Sequence, residues 1–243
     1  MAMQVLQNRG QISRARQELV EKGASLISSP LTAFLRRIGF VDGINVGDKV
    51  KSWDVLSILN FIEGHVQKNE PILDIGCYAS EVIVALHKIG YTSLTGADLN
   101  SQIGQMPHVD SIRYEIVNFK QTKFEDASFK AITSTSVIEH GFEGQALLRE
   151  MSRLLKPRGY FIASFDYWPE KIDTTGVKLF GMDWKIFSRQ DVTDFIEHAG
   201  VYGLAPVGEL HYDGQEATVK FGGRKYTFGW LALEKKNQAC ECW

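Results

Sequence analysis

From Pro71 onward, short runs rich in β-formers alternate with helical patterns. They read "PILDIG", a helix over 80–89 ended by Gly90, "SLTGADL", "IRYEIVN", "AITSTSV", a helix over 143–155, "GYFIASFD", a helix over 189–199 and "YTFGWLALEKK". The strands are almost continuously apolar, so both their faces must be covered, and strands that alternate with helices run parallel. An α/β fold with a mostly parallel sheet is predicted. The helix boundaries agree. Over 143–155, Leu147, Leu148, Met151, Leu154 and Leu155 form one stripe, and "KPRG" stops it because proline and glycine cannot continue the helix. Ser188, with Asp191 three places on, reads as a capping-box variant.

Before residue 71 the pattern is helical. Ile12, Ala15, Leu19, Val20, Leu26 and Ile27 recur at roughly helical spacing over 11–28, a short helix follows the break at Pro30, and another runs from Trp53 to Val66. Residues 1–70 are expected to form an N-terminal helical cap and 71–243 the sheet domain. At 243 residues and 44% hydrophobic, the chain can bury one sizeable core.

In an open parallel sheet, ligands gather where the strand C-termini point. Asp74, Gly76, Asp98, Asn118 and the segment after Ser134 all stand at ends of predicted strands, so they should converge on one crevice. "ILDIGCYASEVIVAL" is a strand, a tight turn at Gly76 and a helix. Asp98 lies 24 residues after Asp74, where a carboxylate can accept both ribose hydroxyls; taken alone it also suits a helix N-cap. A dinucleotide pyrophosphate would need glycines at 76, 78 and 81, but Tyr78 and Glu81 stand at the last two, a bulk and a charge that oppose it. No Walker-type loop is present either. The expected ligand is a nucleoside without a phosphate chain.

With these features the chain resembles the class I S-adenosylmethionine-dependent methyltransferases, of methyltransferase type 11-like kind. "LDIGCYAS" matches the first family motif, with Tyr78 and Ser80 in place of two glycines. Asp98 in "TGADLN" matches the acid closing strand two. "NFKQTKFEDASFKAITSTSVIEH" keeps the spacing of the third and fourth motifs, with Asn118 for the usual acid and Lys130 for the usual aspartate. "REMSRLLKPRGYF" matches the fifth, with Arg158 for a glycine. The resemblance covers about Ile72 to Gly200.

It implies a Rossmann-like, doubly wound, seven-stranded, mostly parallel sheet and S-adenosylmethionine as cofactor. The implied cofactor residues are Asp74, Gly76, Cys77, Tyr78, Ser80, Asp98, Leu99, Asn118, Phe119 and Ser134. Within that set Asp74 and Gly76 hold the methionine end, with Ser134 nearby, Asp98 holds the ribose, and Asn118 with Phe119 borders the adenine. An amide offers both a donor and an acceptor to an adenine edge, so Asn118 suits that place.

His140, just past the fourth strand, is the candidate catalytic base for a hydroxyl acceptor; a structural histidine capping the next helix is the competing reading. Glu139, Glu143 and His140 suggest a metal cluster, but no second histidine accompanies them, and none is expected. The stretch before Ser188 holds Tyr167, Trp168, Phe180, Trp184 and Phe187 with interspersed charges. Aromatic faces with scattered carboxylates suit a sugar or small polar-aromatic acceptor, with Asp166, Tyr167 and Trp168 as its contacts; a hydrophobic cluster sealing the sheet edge is the plainer reading.

Lysine and arginine total 27 against 29 acids, a net charge of −2 with no like-charge run, which disfavours nucleic acid as partner. Cys77, Cys240 and Cys242 have no zinc-ligand spacing, no stretch approaches the ~18 apolar residues of a membrane span, and the start lacks a signal-peptide core. A reduced, cytoplasmic protein without membrane insertion is expected, acting on a small-molecule or glycan acceptor by O-methylation. A methyltransferase-like protein that binds without turnover, motivated by Tyr78, Ser80 and Asn118, is the alternative. A nucleotide-dependent oxidoreductase ranks last, because the glycines at 78 and 81 are missing.

Overall fold

Three residues are too few to show a period, and nothing in the sequence marks Met3–Val5 as a strand. In the computed structural model, which describes residues 2–40, 43–141 and 143–237, they form β1. Cys240 and Cys242 lie outside the described residues. The chain divides into two compact units: Arg9–Asn118 is continuous, while the residues up to Asn8 belong with those from Phe119 on.

The continuous unit opens with helices α1 (Arg9–Glu21), α2 (Pro30–Arg37) and α3 (Ser52–His65). α1 ends earlier than its apolar spacing predicts. Gly23 takes φ +68, its N–H bonds the Val20 carbonyl and that of Ala24 bonds the Leu19 carbonyl, so Leu26 and Ile27 fall outside the helix. α3 is buried nearly all round, with Ile58, Leu59 and Ile62 inaccessible. Then come β2 (Ile72–Ile75), α4 (Val82–Lys88), β3 (Leu94–Asp98) and β4 (Arg113–Ile116). The three strands run parallel in the order β2-β3-β4, Asp74 opposite Gly96 and Asp98 opposite Ile116. The helices expected as a cap thus share one unit with the first three parallel strands.

The other unit contains β5 (Phe129–Thr135), α5 (Gly144–Leu154) and β6 (Leu155–Tyr167). A small hairpin of β7 (Lys178–Leu179) and β8 (Met182–Asp183) follows, then α6 (Arg189–Val201), β9 (Leu204–Pro206), β10 (Val219–Phe221) and β11 (Arg224–Lys235). Its strand order is β1-β11-β6-β5. β5 and β6 are parallel; β11 runs antiparallel to β6 and β1 and also pairs β9 and β10. The fold is mixed α/β, with β5 and β6 parallel in this unit and β2, β3 and β4 parallel in the continuous one. Ser188 and Asp191 form the reciprocal capping box that the sequence predicts at the start of α6. Among the described residues no helix is long and apolar enough to cross a membrane.

Candidate functional site

The turn after β2 needs a residue free to take positive φ, and Gly76 takes φ +67. Its N–H donates to the Ala97 carbonyl at 2.8 Å, tying the turn to the end of β3. The chain then bends again at Ala79, φ +60, where an L-residue pays about 1–2 kcal/mol. Three contacts hold that bend. The Ala79 carbonyl accepts from Gly47 N–H at 2.9 Å, its own N–H meets Met106 Sδ at 3.2 Å, and Ser80 N–H donates to the Cys77 carbonyl at 2.9 Å. Ser80 Oγ accepts from Val82 N–H at the long distance of 3.4 Å, so its hydroxyl contributes a weak start to α4.

Asp98 closes the loop. Its Oδ2 accepts the Tyr78 N–H at 2.9 Å and its Oδ1 the Asn100 N–H at 2.8 Å. The helical N-cap that the sequence suggested for Asp98 belongs instead to Asn100, whose side chain accepts from Gln102 N–H. Tyr78 hydroxyl reaches Gln102 Oε1 at 3.1 Å, spanning the turn beside the carboxylate. Asp74 is inaccessible on β2, while Leu99 is 57% exposed beside Asp98. Asn118 is exposed after β4, where Val117 N–H donates to the Asp98 carbonyl at 2.9 Å. Burial, with the Asp74 and Asp98 charges, pushes the Cys77 thiol far up, so it stays protonated and is no nucleophile.

Glu81 does not do what its position suggests. Its carboxylate, 1% exposed, takes a forked pair of bonds from Arg16 at 2.8 Å each, and Oε1 also accepts Leu26 N–H at 2.7 Å. The charge expected to repel a pyrophosphate is neutralised by α1. Only the missing glycine at 78 still carries that exclusion.

Phe119, Ser134, His140, Asp166, Tyr167 and Trp168 belong to the other unit. Ser134 on β5 and Ser164 on β6 are inaccessible, and neither hydroxyl has a hydrogen-bond partner among the described residues. Ser136 follows β5 at φ +53, its N–H donating to the Ser164 carbonyl at 3.0 Å, a strained exit of the kind functional strand ends carry. His140 bridges to Trp184, and its ring meets Phe180 edge-on, centroids 5.4 Å apart. Phe180 and Gly181, φ +53 and +77, form the two-residue turn of the β7–β8 hairpin, with Phe180 86% exposed.

Two of the expected acceptor contacts face inward. Asp166 is 6% exposed and accepts Trp184 Nε1–H at 2.8 Å; its charge and hydrogen bond, after burial, hold the Tyr226 hydroxyl pKa well above the ordinary value. Tyr167 is inaccessible and its hydroxyl donates to the Tyr212 carbonyl at 2.7 Å. Trp184 and Phe187 are buried too, so most of the aromatic run seals the unit, and only Trp168, half-buried, and Phe180 present surface. β6 is buried without a break from Gly159 to Tyr167, covered on both faces, so no alternation in its sequence marks which side chains could face a ligand. Glu143 pairs with Lys120 at 2.7 Å, and among the described residues no group of three His, Cys, Asp or Glu side chains could hold a metal ion. Sequence reasoning missed Arg16, Gly47 and Met106, which reach the loop from distant segments and leave no local signal.

Residues 73–163 match the family model described as a methyltransferase domain. No curated protein sequence matches the chain. Among solved structures, the geranyl diphosphate C-methyltransferase of Streptomyces coelicolor A3(2), crystallised with Mg2+, geranyl diphosphate and S-adenosyl-L-homocysteine, is similar with a TM-score of 0.57 and 16% identity over 77% of this chain and 82% of that one. The [4+2]-cyclase SpnF gives 0.56 and 11% over 93% and 95%, and a SAM-dependent methyltransferase from Methanosarcina mazei gives 0.50 and 16% over 72% and 97%. At such identities the likeness is one of fold, and a fold that also carries a cyclase does not by itself fix the reaction.

Proposed function

We propose that the protein is a class I S-adenosylmethionine-dependent methyltransferase, a reading supported by the methyltransferase-domain match over residues 73–163, and that it methylates a hydroxyl of a small-molecule acceptor. The observation that carries the cofactor reading is the closure of the glycine turn on Asp98 through Tyr78 N–H. Each carboxylate oxygen there keeps a second lone pair for a ribose hydroxyl. The exposed Leu99 beside it offers an apolar face to a base, with Asn118 at its edge. The turn at Gly76, with Asp74, Cys77, Tyr78 and Ser80 around it, would hold the methionine end.

Bound S-adenosylmethionine supplies an activated methyl group on a sulfonium. The chain's share of the work is then to hold acceptor and methyl in line and dry. His140 takes the proton of the acceptor hydroxyl, and the edge contact with Phe180 fixes its ring. With Asp166 and Tyr167 turned inward, Trp168 is the remaining contact from that strand end, which supports a small acceptor, saccharide-like or aromatic, over a long polymer.

Calorimetric titration with S-adenosylmethionine and S-adenosylhomocysteine, with NADH as control, tests the cofactor reading. Binding of the first two and not of the third is expected; NADH binding in their place would sink it. A second reading, binding without turnover, is favoured by the fact that both Asp98 oxygens already accept backbone N–H groups. Transfer of labelled methyl to any acceptor in a metabolite extract decides against it.

A further inference from the structure

The segment that follows the cofactor loop is gripped from outside by parts of the chain remote in sequence. Arg16 on α1 forks onto both Glu81 oxygens, and the same guanidinium donates to Ser52 Oγ at 2.9 Å and Ser25 Oγ at 3.0 Å. Ser52 is inaccessible and its hydroxyl donates in turn to the Lys49 carbonyl. Leu26 N–H adds a third donor to Glu81. Gly47 completes the grip. It sits at φ +87, a Cβ built on it would stand 2.8 Å from Glu81 Oε2, and its N–H holds the carbonyl of Ala79, the strained residue of the loop.

A planar fork onto a buried carboxylate fixes direction as well as distance, which a lysine at position 16 would not do. Glu81 immediately precedes α4, so wherever Arg16 holds the carboxylate, the end of the Gly76–Ser80 turn is held with it. Helix propensity gives no other reason for the arrangement, since Glu81 makes no side-chain cap bond to α4.

We infer that Arg16 and Glu81 are positioning residues for the cofactor loop, and that α1 is thereby a working part of the nucleoside site. The inference rests on reading the Gly76–Ser80 turn as that site. Releasing the fork lets Ala79 relax from its left-handed conformation, and Tyr78 N–H loses its register on Asp98.

The test uses the full chain and the double substitution R16M/E81M, which removes the pair without stranding a buried charge. Three quantities are measured: the melting temperature without ligand, hydrogen exchange at the amides of 76–81, and calorimetric affinity for S-adenosylhomocysteine. The expected result is a retained fold, amide exchange faster by at least tenfold, and affinity lower by at least tenfold. Unchanged exchange and affinity in a folded double variant overturn the inference. If the wild-type chain binds no S-adenosylhomocysteine, the cofactor reading fails by itself, and the exchange measurement still decides whether the pair positions the loop. Should the double variant not fold, R16K carries the test, because it keeps the charge and loses the fork: intermediate losses in both readouts support the inference, and wild-type values in both overturn it.

Discussion

Asp98 is engaged by two backbone N–H groups before any ligand arrives, and a ribose would use its remaining lone pairs. Asp98→Ala should therefore weaken S-adenosylhomocysteine binding by at least about 1.5 kcal/mol, roughly tenfold, for the loss of charge-assisted hydrogen bonds. Calorimetry reads this directly, and equal affinity would remove Asp98 from the site. For His140→Ala the expectation differs: turnover falls by about 100-fold, the lower end for a lost general base, while cofactor affinity stays within twofold. A parallel loss of affinity would make the histidine structural. Gly76 and Asp98 were legible in the sequence because turn chemistry is local: a glycine after a strand and a carboxylate at the next strand end suffice. Ala79, Arg16 and Glu81 were not. The strain at Ala79 is held by Gly47 and Met106, and the charge of Glu81 is cancelled by α1, so neighbours in sequence say nothing of either.

Among the elements, α6 shows how much a local signal can carry, since its capping box is present as read. Burial alone would raise the Asp191 pKa, but bonds from Lys171, Ser188 and Lys185 override it and hold the carboxyl well below the ordinary range. Glu150 on α5 behaves alike: burial raises it, and Arg153 with Thr122 pulls it below its usual value. For carboxyls depressed on folding, the stability they supply is fully present above their unfolded values, about 4, and drains away as pH falls through the lower folded values. Acid titration of Asp191→Asn should show a shallower loss of stability below pH 4 than the wild type, from a starting point about 1 kcal/mol lower. A packing limit lies on β3. A Cβ on Gly96 would come within 2.6 Å of Cys77 Sγ and 2.8 Å of the Tyr114 ring, so Gly96→Ala should cost about 1–3 kcal/mol in urea unfolding. Long apolar strands and amphipathic helices showed in the sequence, whereas β1, the β7–β8 hairpin, β9 and β10 did not. Strands of two or three residues exist because a partner recruits them, and no periodicity fits into so short a run.

For the whole molecule, ligand binding is a stability measurement. S-adenosylhomocysteine at one hundred times its Kd should add about 2.7 kcal/mol to the form that binds it. At about 2–4 °C per kcal/mol for a chain of this size, its melting transition should rise by about 5–11 °C. NADH should leave it in place, and a rise with NADH alone would speak for the oxidoreductase. The α/β plan was legible at this scale because alternation of strands and helices is repeated along the chain; the division into units was not, because β1 joins a strand near the far end. That strand has a consequence for synthesis. Residues 9–118 have all been made while the ribosome is still making the segments from Phe119 on. Met3–Val5 must wait, unpaired, until Gly229 to Leu231 emerge, so its edge is open for most of translation. A nascent chain stalled before β11 would display that edge, and a chaperone that reads extended segments would find its target at Met3–Val5.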